Sequence, residues 1–144
     1  SPNKNNNLIN SNMKTINKEG KNNESVTLLT KNQNKEIIQI VYFDFDEIVL
    51  SNVSINSLKK FLKKNYPIIQ KYIIIGHTDT KGTREYNHKL SIKRAISVKE
   101  ILNKQGIDNK YITILGKGEE VLAISTPDEV EHPANRRAEI KISN

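Results

Sequence analysis

Three short stretches carry more polar side chains than the packing of a small domain calls for. They are Phe43-Asp44-Phe45-Asp46, then Gly76-His77-Thr78-Asp79-Thr80-Lys81-Gly82-Thr83 with Tyr86-Asn87, and finally Asn135-Arg136-Arg137. Each lies at the end of a run that reads as a strand or at the start of one that reads as a helix, and such edges present loops for binding. A fourth polar position, Arg94, falls about two turns inside a helical pattern, between Leu90 and Ala95. A lone helical arginine is usually solvated. Long helical side chains lean toward the helix N-terminus, however, so Arg94 can bring its guanidinium back to the loop that carries Asp79.

Catalysis finds little support in these residues. His77, Asp79, His88 and His132 can in principle ligate a metal, yet His77 and Asp79 share one loop and lack the helical histidine spacing that makes a zinc motif specific. No Ser, His and Asp arrangement stands out for nucleophilic work, and no pair of acids stands out for proton transfer. The chain has no cysteine, which excludes disulfides, thiolate metal sites and thiol nucleophiles. No metal or cofactor is expected, and the chain is not expected to be an enzyme.

The elements that must position the polar stretches follow from hydrophobic periodicity. Ile37, Ile38, Ile40, Val41, Tyr42 and Phe43 form a β-branched and aromatic run of the length of a buried strand. Ser54 can cap a helix whose Ile55, Leu58, Phe61 and Leu62 recur at helical spacing and which Asn65-Tyr66-Pro67 closes. Residues 72–75 read as a second strand. A longer helix covers about 86–105, with Leu90, Ala95, Val98, Ile101 and Leu102 on its apolar stripe and Gly106 as its stop. Residues 111–115 read as a third strand. In 136–143, Ala138, Ile140 and Ile142 alternate with Arg137, Glu139 and Lys141, a half-buried fourth strand that puts Arg136 on the inner side and Arg137 toward solvent. The order β-α-β-α-β-β predicts an α+β two-layer sandwich, a mixed sheet with helices packed on one face. Phe43 is expected in the core, and Asp44 reads as a solvated turn residue.

The 144 residues suit a single domain, but residues 1–35 stand apart. Eleven of them are Asn, and their few apolar side chains cannot offset the entropy of ordering, so a flexible Asn- and Lys-rich leader or tether is expected ahead of a domain of residues 36–144. Residues 26–29 can still add a short strand. Of the formal charge of +7, the leader holds +4 and the domain only +3. Lys59, Lys60, Lys63 and Lys64 on the first helix have no interleaved aromatics, which argues against a nucleic-acid partner. No apolar run reaches the roughly 18 to 20 residues that cross a bilayer, so any export signal or anchor is expected in a segment outside this sequence.

In order and spacing the motifs resemble the OmpA-like peptidoglycan-binding domains, most closely the branch of peptidoglycan-associated lipoproteins. The resembling residues are Val41-Tyr42-Phe43-Asp44-Phe45-Asp46; Gly76-His77-Thr78-Asp79-x-x-Gly82-Thr83-x-x-Tyr86-Asn87-x-x-Leu90-Ser91-x-x-Arg94-Ala95; Gly116-x-Gly118-Glu119; and Asn135-Arg136-Arg137-Ala138-Glu139-Ile140. The resemblance implies non-covalent binding of the peptidoglycan stem peptide through its diaminopimelate residue, anchoring an envelope protein or complex to the cell wall. It implies a periplasmic location, in association with the outer membrane. Diaminopimelate ends in a carbon bearing an ammonium and a carboxylate. The resemblance assigns the ammonium to Asp79 and the carboxylate to paired hydrogen bonds from Arg94, with backbone N–H groups near Tyr86 and Asn87 as further donors. It also places Phe45 and Asp46 in the pocket lining, Leu90 as an apolar contact and Arg136 at the site. Without ligand, Asp79 and Arg94 can pair with each other. Other envelope, secretion or motor proteins would be reached through a segment not present here. The alternatives, a metal-dependent hydrolase acting on the cell wall and a basic-surface binding protein, have no motif behind them.

Overall fold

The computed structural model describes residues 37–65 and 70–143. The expected leader, its strand at 26–29 and the Tyr66-Pro67 stop of the first helix lie outside the described residues. In chain order the elements are β1 (Ile37–Tyr42), α1 (Asn52–Asn65), β2 (Lys71–Gly76), α2 (Arg84–Lys104), β3 (Ile112–Gly116) and β4 (Arg137–Ser143), with short 3-10 turns at Asn109–Tyr111 and Pro133–Asn135. The sheet order is β1-β4-β2-β3. β4 runs antiparallel to both of its neighbours, while β2 and β3 are parallel and joined by α2. This is the mixed sheet and β-α-β-α-β-β order that the periodicity predicts.

Strand alternation decides which side of the sheet the helices cover. Val41 of β1, Tyr72 and Ile74 of β2, and Ala138, Ile140 and Ile142 of β4 share one face and join Leu58 and Leu62 of α1 and Ala95, Val98 and Leu102 of α2 in a single core. Burying one such Leu or Ile stabilises by about 1.5 to 3 kcal/mol. Two glycines let α2 come close at the end of the sheet that carries the polar loops. A Cβ on Gly76 would stand 1.8 Å from the Ser91 carbonyl oxygen, and one on the paired Gly116 would meet Ile92 at 2.4 Å. The polar face of α2, with Asn87, Ser91 and Arg94, is therefore pressed against the β2 and β3 ends and buried.

Two expectations are corrected by the sheet. The apolar run at 37–43 is an outer strand, not a buried one: Ile38, Ile40 and Tyr42 are 51%, 38% and 52% exposed. β4, whose alternating charges the sequence presents as half-solvated, is one of the two inner strands. Arg137 is only 4% exposed, because its Nε donates to Glu139 Oε2 at 2.9 Å and its terminal nitrogens donate to the Asn135 and Val121 carbonyls. It faces away from the helices, as the alternation requires, but under the 117–136 loop and not toward water. A third correction is local. α1 starts at Asn52, and the cap is Ser51, whose Oγ accepts from the Ser54 N–H at 3.1 Å; Ser54 lies in the first turn.

Candidate functional site

The loop after β2 is strapped down from two sides before it reaches Asp79. The His77 N–H donates to the Arg137 carbonyl at 2.8 Å and the Thr78 N–H to the Gly118 carbonyl at 2.8 Å. Asp79 emerges only 3% exposed, with most of its acceptor capacity filled. Oδ1 accepts from the Lys81 N–H at 3.2 Å, and Oδ2 accepts from the His132 N–H at 3.2 Å and from Arg136 Nη1 at 3.2 Å. The partner of Asp79 in the free domain is thus Arg136, not Arg94. Arg136 also donates from Nε to the Phe43 carbonyl at 3.0 Å, which ties the end of β1 to the start of β4.

Arg94 is the largest fully buried side chain of the domain. Its Nε donates to the Glu47 carbonyl at 2.9 Å, Nη1 to His77 at 3.0 Å and Nη2 to Asp44 at 3.2 Å, and its Cζ lies 5.1 Å from the centre of the Phe43 ring. The guanidinium therefore pins the β1–α1 loop to the end of β2. A guanidinium has five N–H donors, so one hydrogen remains on each terminal nitrogen. Burial pulls the Arg94 pKa down to about 10 while the nearby Asp79 carboxylate raises it, and the group stays cationic at neutral pH.

The start of α2 forms the next wall. Thr83 caps the helix: its Oγ1 accepts from the Tyr86 N–H at 3.1 Å and its carbonyl from the Asn87 N–H at 2.9 Å. These are the two backbone donors expected to face a ligand, and capping has consumed them. The Asn87 side chain, 1% exposed, donates to the Lys81 carbonyl at 3.0 Å and to Glu119 Oε1 at 2.9 Å, so it shapes the loop from within. The Tyr86 hydroxyl donates to Asp46 Oδ1, and that hydrogen bond raises the tyrosine pKa.

These groups surround a cavity of about 250 Å³. Six of the seven expected residues line it: Phe45, Asp46, Asp79, Asn87, Leu90 and Arg94. Arg136 does not; it stands behind Asp79 and holds it. Lys81, Gly82, Tyr86 and Glu129 complete the lining. Spacing gave no sign of Glu129, which reaches the cavity on a loop far along the chain. A second hollow, about 430 Å³, lies between α1 and α2 around Ile55 and Ile101, with Lys59 and Lys104 and no acid at its edge. It lacks any of the strapped charges that the first cavity gathers.

On the opposite face of the sheet His77 is 3% exposed, and its ring nitrogens make no hydrogen bond of standard geometry. Glu139 Oε2 stands 3.7 Å from Nε2. Burial, reinforced by the Arg137 charge, lowers the His77 pKa to about 4. Among the described residues no group of three His, Asp or Glu is placed to hold a metal.

The mixed four-stranded sheet has two helices on one face and a charge-lined cavity where β2 meets α2. Residues 42–136 match the OmpA family, and the chain belongs to it. Over 104 residues it is 36% identical to the peptidoglycan-associated lipoprotein of Legionella pneumophila, an overlap of 70% of this chain and 58% of that protein. The crystal structure of the peptidoglycan-associated lipoprotein from Burkholderia pseudomallei is similar with a TM-score of 0.65 at 31% identity, covering 73% of this chain and 90% of that one. The C-terminal domain of Helicobacter pylori MotB shares the fold, with a TM-score of 0.64 at 16% identity over 74% of this chain and 84% of that one. The chain spans 58% and 62% of the length of the first two curated relatives that it matches.

Proposed function

We propose that this domain binds peptidoglycan non-covalently through the diaminopimelate residue of the stem peptide and so anchors an envelope protein or complex to the cell wall. The observation that carries the reading is that Asp79 and Arg94 line one cavity without pairing with each other, opposite charges each held in place by backbone groups before any ligand arrives. A carboxylate offers about four acceptor positions, and three contacts to Asp79 leave room for one ammonium hydrogen. Arg94 keeps one hydrogen on each terminal nitrogen, the number a ligand carboxylate takes. Because the charges are fixed in advance, binding costs little reorganisation. Leu90 and Phe45 would pack on the methylene stem. Binding, not catalysis, is what such a clasp performs.

The names of the relatives support the same reading, since the Legionella and Burkholderia proteins are both peptidoglycan-associated lipoproteins. The same reading puts the domain in the periplasm, in association with the outer membrane, with residues 1–35 acting as the tether. The test is co-sedimentation with sacculi. The domain should pellet with sacculi whose stem peptides carry diaminopimelate and stay in solution with those that carry Lys, which lacks the second carboxylate. Removing residues 1–35 should change nothing, because Phe45, Asp79, Arg94 and Arg136 all lie downstream. Equal binding to both kinds of sacculus would overturn the diaminopimelate reading.

A further inference from the structure

We infer that Glu129 is a specificity-determining residue of this cavity, a second acceptor that reads the ligand's ammonium group; the inference rests on the function proposed above. An ammonium carries three hydrogens, and Asp79, already holding three protein donors, has room for about one. The remaining hydrogens need acceptors near the mouth.

Among the described residues, two that are not glycine have positive φ: Asp46 at 58° and Glu129 at 60°. Both are acids, and both line this cavity. A left-handed backbone is unfavourable for a Glu and persists only where the surroundings enforce it. At Glu129 they do so through Thr80, the neighbour of Asp79. The Glu129 N–H donates to the Thr80 carbonyl at 3.0 Å, and Thr80 Oγ1 donates to the Pro127 carbonyl at 2.6 Å and accepts from the Val130 N–H at 3.0 Å. The backbone on both sides of Glu129 is therefore fastened to the Asp79 loop, while the Glu129 side chain remains 61% exposed.

An ammonium already occupies the place. Lys81 Nζ stands 3.9 Å from Glu129 Oε1, and the Gly82 N–H donates to the same oxygen at 3.4 Å. The ion pair is long and solvated on both sides, so a better-placed ammonium displaces Lys81 at small cost. Glu129 Oε2 has no hydrogen-bond partner among the described residues and is free for the ligand. The ligand class that satisfies the whole cavity is an amino-acid end with its amine free; an acylated amine keeps one neutral N–H, enough for Asp79 alone, and leaves Glu129 without a donor.

The experiment is titration of the full chain with two stem peptides that differ only at the end of the diaminopimelate side chain, one with a free amine and one with that amine acetylated. The parent should prefer the free amine. Glu129→Gln should weaken binding of the free-amine peptide roughly two- to fivefold, as loss of a solvent-exposed charge contact does, and leave the acetylated peptide unchanged. Lys81→Ala, which removes the competing ammonium, should strengthen binding of the free-amine peptide. Unchanged preference in Glu129→Gln, or equal weakening in Lys81→Ala and Glu129→Gln, would overturn the inference while leaving the peptidoglycan reading intact. Failure of the parent to bind either peptide would overturn both. Thermal unfolding of each variant near the parent's Tm confirms that a loss is not a loss of fold.

Discussion

Two buried charge clusters sit on opposite faces of the sheet where β2 ends and β4 begins, and they are built from neighbouring residues. On the helix side Arg136 holds Asp79 at 3.2 Å; on the other side Arg137 holds Glu139 at 2.9 Å beside His77. The first faces a cavity, and its members retain unused hydrogen-bonding capacity: two hydrogens on Arg94 and about one acceptor position on Asp79. The second lies beneath the 117–136 loop; Arg137, with one bond from each nitrogen, keeps as many hydrogens as Arg94 does, but none of the cluster's three residues lines the cavity. Ion pairs alone therefore do not mark a binding site. What marks it is a charge fixed by backbone groups with capacity left over and space in front of it.

The largest expected effect comes from removing the pin on the helix side. Arg94→Ala would orphan the Asp44, Glu47 and His77 carbonyls around the β1–α1 loop, and urea unfolding should show a loss of about 3 to 5 kcal/mol. Arg94→Lys keeps the charge but not the three-way geometry, and should fall between parent and alanine variant. A cost below about 1 kcal/mol for Arg94→Ala would mean that the guanidinium does not hold the loop.

Arg137→Gln is the matching change on the other face. It should cost about 1 to 3 kcal/mol by the same measurement, from the unpaired Glu139 and the lost carbonyl contacts, and it should leave sacculus binding at the parent's level. Reduced binding by a well-folded Arg137→Gln would erase the distinction between the clusters.

The smallest effect separates the faces by pH. His77 is neutral in the fold down to about pH 4 but takes up a proton near pH 6.5 when unfolded. Its contribution is therefore complete above pH 6.5 and is lost as pH falls toward 4. The parent should therefore lose about 1 to 2 kcal/mol more than His77→Gln between pH 7 and pH 5. Parallel stability curves for the two proteins would show that His77 is not held neutral.

Much of this frame is legible in the sequence, and the exceptions share a physical cause. The helix stripe of Ala95, Val98 and Leu102 and the alternation of Ala138, Ile140 and Ile142 both record a face turned to one core, as expected, whereas Leu90, expected on the same stripe, lines the cavity instead. Alternation also assigns Arg136 and Arg137 to opposite sides, but it says nothing of what covers a side, and the 117–136 loop turns an expected solvent-facing arginine into a buried one. The run at 37–43 looks buried because β-branched residues mark strands without marking sheet position. Asp79 and Arg94 are readable because a helix and its preceding loop bring them together locally. Glu129 is not, because its contact with Gly82 spans 47 residues through a loop without periodicity.

The most direct test of the central claim is one comparison on diaminopimelate-type sacculi. Asp79→Asn keeps the shape of the side chain and removes its charge, whereas Arg137→Gln alters the cluster on the other face. Arg137→Gln should pellet like the parent and Asp79→Asn should remain in the supernatant, because losing one partner of a desolvated charged contact costs about 2 to 5 kcal/mol. A folded Asp79→Asn that pellets as the parent does would contradict it.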